Sequence, residues 1–153
     1  MWDNLLNMIL MRSRRAQKAG QEFMEALQSE KAEKFLEVLL KLMGLVFFLD
    51  KDFQRNIRDF NGRYLFRSQD RQITVAAVFK DNRLKVTEEE IGDTHMTVIF
   101  RNAKALMGFL LSPKPDILGS MLRQDISIDG NLNYLYKFAY MAKHLQLKVT
   151  GKL

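Results

Sequence analysis

The chain has 153 residues, of which 47% are apolar and 27% charged, with a formal net charge of +6 at pH 7. That is enough chain for one domain with one substantial core, and too apolar for a disordered one. It contains no cysteine, which excludes disulfides, zinc–thiolate sites and cysteine nucleophiles and fits a reducing compartment.

The first segment places Trp2, Leu5, Leu6 and Ile9 at helical spacing with Asp3, Asn4 and Asn7 between them, and Arg12, Arg14 and Arg15 follow. Charge behind the apolar stretch is the reverse of a secretory signal. The pattern is that of a short amphipathic helix, which either lies in a membrane interface or docks on the body of the protein. Trp2, Leu5, Leu6, Ile9, Arg12, Arg14 and Arg15 are therefore the candidate membrane contacts. Phe23, Leu27, Phe35, Leu36, Leu39, Leu40 and Met43 continue the helical spacing, and Gly44 allows a break. Phe53, Ile57 and Phe60 suggest a further short helix. The longest apolar run after the first segment, 38–49, is interrupted by Lys41 and is too short to span a bilayer. A soluble, cytoplasmic protein that meets a membrane only at its periphery is expected.

After Asn61-Gly62 the period changes. Tyr64-Leu65-Phe66 opens a strand, Gln69-Asp70-Arg71 is a turn, and Ile73, Val75, Ala77 and Phe79 alternate along a second strand. Asp81-Asn82 is a tight-turn pair before a third strand at 84–86. In the next strand Met96, Val98 and Phe100 share one face and His95, Thr97 and Ile99 the other. Asn102 suits the N-cap of a helix through Ala105, Leu106, Phe109 and Leu110, and the prolines at 113 and 115 end it. Asp116 caps a second short helix bearing Ile117, Leu118, Met121 and Leu122. A last strand at 125–129, a turn at Gly130 and a closing helix with Leu135, Phe138, Met141 and Leu145 along one side complete the chain.

Chemistry is sparse. His95 and His144 stand in different elements with no metal-ligand spacing around them, and His95 suits a surface or edge position. No nucleophile elbow, phosphate-binding loop, dinucleotide fingerprint or zinc-protease motif is present. Glu88-Glu89-Glu90 is a solvated loop. We expect no catalytic residue, no metal and no cofactor. The basic excess lies after position 60, but there it is scattered among acids, so no nucleic-acid partner is expected. Nine Met and eleven Phe suit an adaptable core, or a surface that meets variable apolar partners. The C-terminal Gly151-Lys152-Leu153 is similar to the peroxisomal Ser-Lys-Leu address, with Gly in the position of Ser.

The order of elements after position 61, with Asp93–Ala103 leading into Leu106-Met107, Pro115-Asp116 opening the next helix and Asp125-Ile126-Ser127-Ile128-Asp129-Gly130-Asn131 before the last helix, resembles the sterol-carrier-protein-2-like lipid-binding family. Gly62-Arg63-Tyr64-Leu65 and Asn82–Val86 are similar to its bacterial ubiquinone-biosynthesis accessory branch. The match covers roughly residues 50–145. It implies an α+β domain at 46–153, behind an N-terminal helical extension at 1–45. About five strands would form a twisted, mostly antiparallel sheet, with helices on one face and an apolar tunnel between the layers. It also implies carriage or presentation of a sterol, fatty acyl or polyprenyl lipid, without catalysis. The alternative is an accessory subunit whose partners are proteins of a lipid or quinone biosynthetic complex. Tunnel positions on this chain would be Phe79, Met96, Val98, Phe100, Leu106, Phe109, Leu110, Ile117, Leu118, Met121, Leu122, Leu135, Phe138 and Met141.

Overall fold

The structure is a computed structural model and describes residues 32–111 and 116–150. The candidate membrane contacts from Trp2 to Arg15, the helical spacing of Phe23 and Leu27, the two prolines and the C-terminal tripeptide lie outside the described residues. In chain order the elements are α1 (Ala32–Leu49), α2 (Lys51–Gln54) running into a 3-10 turn (Arg55–Ile57), β1 (Gly62–Ser68), β2 (Thr74–Lys80), β3 (Arg83–Thr87), β4 (Met96–Phe100), α3 (Ala103–Leu111), α4 (Ile117–Leu122), β5 (Ile126–Gly130) and α5 (Leu132–Thr150).

The strands form one mixed sheet in the order β3-β2-β1-β4-β5, antiparallel at every pairing except β1 against β4. The expected α+β fold, a mostly antiparallel five-stranded sheet with helices packed on it, is the one observed. Alternation decides which face the helices cover. Tyr64, Phe66, Val75, Ala77, Phe79, Met96, Val98 and Phe100 are buried on one face in a single core with side chains of α1, α3, α4 and α5. Tyr64 is the hub of that face. Its ring lies 5.5 Å from Phe79 and 5.6 Å from Phe138, and its hydroxyl donates to the Tyr134 carbonyl at 2.7 Å. Burial raises its pKa, with Tyr134 adding to the shift.

Local chemistry sets the turns. Asp81 and Asn82 have φ of 53° and 60° and join Lys80 to its partner Arg83, the two-residue hairpin whose twist suits the flanking strands. Between β1 and β2, Asp70 accepts from the Ser68 hydroxyl and from the Gln72 amide, and these bonds lower its pKa. Asn102 accepts from the Ala105 amide and Asp116 from the Gly119 amide, so both expected caps are made.

Strand β3 must return to the start of β4, crossing β2 and β1. Residues 88–95 make that crossing over the face opposite the helices. Arg63 and Arg67 point to that face by alternation; Arg67 pairs with Glu90, and the Arg63 guanidinium donates to the Gly92 carbonyl. Leu65 and Ala76, which face away from the helix-side core, are buried on this same face.

Helix α1 does not break at Gly44. A β-carbon there would meet Leu84 at ordinary contact distance, and Leu45, Val46 and Phe47 continue the buried side beyond it. The helix runs through position 45, and residues on both sides of it bury side chains in one core. On the same helix Glu37 is 6% exposed and takes Lys41 on one carboxylate oxygen, while its other oxygen has no donor. The neighbouring Glu88 carboxyl can bond Glu37 only when it is protonated. Burial opposes ionisation of Glu37, but the bond to Glu88 and the charge of Lys41 outweigh it and lower its pKa. The same bond, with the charge of Glu37, raises that of Glu88.

Gly130 has φ of +122°, and a β-carbon there would stand 2.4 Å from the His95 carbonyl oxygen. Gly130→Ala is expected to cost about 1–3 kcal/mol in urea unfolding; an unchanged midpoint would remove the close approach from the account. For the carboxyl pair, the raised pKa of Glu88 means stabilisation that is complete below its unfolded value and lost as pH rises through the folded one. Glu88→Gln keeps a donor at every pH. Because Glu88 is exposed and screened, the substitution is expected to raise the melting temperature at pH 7 by about 1 °C, with the gain shrinking towards pH 4. A gain that does not vary with pH contradicts the shared proton.

Candidate functional site

The layer between sheet and helices gathers most of the expected tunnel positions. Phe79, Met96, Val98, Phe100, Leu106, Ile117, Leu135, Phe138 and Met141 are all buried in the common core, and Phe109 and Met121 pack on it half-buried. They do not form one wall. Phe79 belongs to the α1 end, 6.1 Å from Phe47 and 5.6 Å from Phe60, while Phe100 meets Phe109 at the α3 end, 6.0 Å away. Phe138 lies between them, 5.2 Å from Phe66. Leu118 and Leu122 stand outside this set, 60% and 86% exposed on the outer side of α4. The helical repeat that turns Ile117 inward turns these two out. The Leu110 side chain lies outside the described residues.

At the α3 end a cleft of about 480 Å³ opens to the surface between α3 and α4. Ala105, Gly108 and Phe109 form its apolar wall, and Arg101, Lys104, Ser120, Arg123, Asp116 and Asp125 its polar one. The polar wall is built where β4 and α4 end. Arg101 bonds Asp125 at 2.5 Å and the Arg123 carbonyl at 2.6 Å, and Arg123 reaches the other oxygen of Asp125 at 3.1 Å. Two arginines thus share one carboxylate. Among the described residues Lys104 has no ion pair, so the rim keeps one uncommitted positive charge beside an apolar wall. Such a space suits an amphiphile, with its chain on Phe109 and an acidic head near Lys104.

The sequence reading missed this polar wall. Arg101, Arg123 and Asp125 meet only because β4 and β5 pair, and no local spacing announces it. Both histidines are absorbed in packing. Rather than standing at the surface, His95 stacks on Tyr134 at 4.5 Å and accepts from the Arg63 amide at 2.9 Å. His144 joins Asn56 at 2.7 Å and rests on Phe53. Among the described residues no three acidic or histidine side chains converge on a metal-sized site, and no helix is long and apolar enough to cross a membrane.

No family model and no curated protein matches the chain. Solved structures do. A UbiJ-SCP2 ubiquinone synthesis protein aligns over 69% of this chain and 90% of its own, with a TM-score of 0.56 at 15% identity. The sterol carrier protein domain 2 of Helicoverpa armigera aligns over 82% of this chain and 94% of its own, with a TM-score of 0.50 at 18% identity. The chain has the sterol-carrier-protein-2-like fold. That fold also recurs inside the sec-alkylsulfatase Pisa1 from Pseudomonas sp., where 70% of this chain aligns with 16% of the enzyme (TM-score 0.51, 14% identity). Among the described residues, the α3–α4 cleft borders the half-buried Phe109 at one end of the apolar layer.

Proposed function

We propose that the protein binds an apolar lipid and carries or presents it beside a membrane, without catalysing a reaction on it. The ligand class is a sterol, a fatty acyl chain or a polyprenyl or quinone-type molecule. The observation that carries this reading is the sterol-carrier-like fold, aligned over nine-tenths of two neighbours, with an amphiphilic cleft beside its apolar layer. A shared fold does not by itself transfer function; the amphiphilic cleft supports the reading on this chain. Each methylene moved from water into apolar surroundings gains about 0.8 kcal/mol, so a long chain binds firmly with few polar contacts. Leu106, Phe109, Ile117, Met121, Phe138 and Met141 are the side chains we assign to the ligand's path, with Phe79, Met96, Val98, Phe100 and Leu135 behind them.

One observation favours a second reading. Leu118 and Leu122 form an exposed apolar pair one turn apart on α4, which suits a protein neighbour in a lipid or quinone biosynthetic complex. The N-terminal segment, with Trp2, Leu5, Leu6 and Ile9 ahead of Arg12, Arg14 and Arg15, is proposed to touch anionic bilayer.

Native mass spectrometry with lipid extraction of gently purified protein is expected to find one lipid per chain. A side chain added at Gly108 meets nothing within 4 Å. Gly108→Trp is therefore expected to keep the fold, fill the cleft and lose most of that lipid. Equal loading of variant and parent removes the cleft from the reading, and a stoichiometric protein in place of lipid selects the subunit. In flotation with anionic vesicles, a variant lacking residues 1–18 is expected to bind several-fold less than the full chain; unchanged flotation discards the N-terminal contact.

A further inference from the structure

We propose that the outer face of α5 is a docking surface for an anionic lipid bilayer. This rests on the reading that the protein works beside a membrane, and gives that reading a second place on the molecule. Helix α5 turns Leu135, Phe138, Met141 and Leu145 into the core. Its opposite side carries Leu132, Tyr136 and Tyr140, four residues apart on successive turns, exposed by 37%, 48% and 61%. A single exposed apolar residue needs no explanation, but three along one line form a stripe. Tyr136 makes no hydrogen bond or ring contact among the described residues.

Charge selects the partner. From Leu132 to Thr150 the helix has Lys137, Lys143 and Lys148 and neither Asp nor Glu. Lys143 falls on the same side as Tyr136 and Tyr140, exposed and without an ion pair among the described residues. Lys137 flanks the stripe, its ammonium 5.4 Å from the Phe60 ring. A tyrosine has an apolar ring and a hydroxyl tip, the combination that settles at the level of lipid headgroups. Lysines beside it gain from the negative charge of anionic headgroups at the surface. A second copy of this face would bring lysine against lysine. A nucleic acid would call for cations in a track along its phosphates, whereas here tyrosine and leucine hold the centre of the stripe.

The test is co-sedimentation of the full chain with vesicles of phosphatidylcholine alone and with added phosphatidylglycerol. Binding is expected only with the anionic lipid, weakened about fivefold by Lys143→Gln and more by Tyr136→Ser with Tyr140→Ser, while circular dichroism melting stays unchanged. Tyr140→Trp adds one indole to Trp2, and the emission of the added indole, taken as the difference from the parent, is expected to shift to the blue on anionic vesicles. If the parent binds and the tyrosine variant binds equally well, or the indole emission does not move, this surface is overturned while the membrane reading stands. If the parent binds no vesicle, both fall, and lipid carriage is still judged by the extraction experiment. A parent dimer that the tyrosine variant converts to monomer in sedimentation velocity also overturns the proposal, in favour of self-association.

Discussion

The fold depends on one junction, where β4 is set in place beside β1. His95, just ahead of β4, uses nearly all its polar groups there. Its amide donates to the Arg63 carbonyl at 2.9 Å, and its ring Nδ1 accepts from the Arg63 amide at 2.9 Å. Its carbonyl accepts from the Asn131 amide, also at 2.9 Å. Four elements meet at this residue: β1 through Arg63, β4 by succession, β5 through the close approach of Gly130, and α5 through the stacking of Tyr134. Without this register, Met96, Val98 and Phe100 would not continue the apolar face begun by Tyr64 and Phe66.

With the face complete, the helices divide the labour along it. At the α1 end it is closed by aromatic packing, with Phe47 stacked on Phe53 at 4.4 Å and edge-on to Phe79. At the α3 end it is less closed: Phe109 is half-buried, Gly108 leaves open space, and the polar wall is tied by ionic contacts rather than packing. Exposed ion pairs contribute little to stability. Their effect here is positional, since the pair of arginines on Asp125 holds the end of β4 against the turn into β5. The two ends therefore differ in kind, one closed by stacked aromatics and the other open and amphiphilic.

Much of this was legible because the physics was local. Alternation at Val75, Ala77 and Phe79 follows from the pleat, positive φ at Asp81 and Asn82 from tight-turn sterics, and the caps at Asn102 and Asp116 from helix ends with free amides. What was not legible depended on partners distant in sequence. Gly44 looks like a helix breaker until Leu84 is seen beside it. His95 looks like a surface residue until β4 is inserted next to β1. Leu118 and Leu122 look like core by composition, and only the placement of α4 on β5 turns them outward. The cleft, whose walls come from β4, α3, α4 and the turn before β5, had no signature in any single segment.

The strap at 88–95 also bears on how the chain reaches this state. Strands β1, β2 and β3 are joined by short hairpins and can pair from local contacts alone, on the timescale of hairpin closure. The bond between Arg63 and His95 spans 32 residues, so the loop-closure entropy of that span must be met before β4 gains its neighbours. Docking of α5 gains the stacking of Tyr134 on His95 and the bond from the Asn131 amide only once β4 is in place. The three-stranded meander is therefore the expected early folding unit, and arrival of β4 the step that commits the chain.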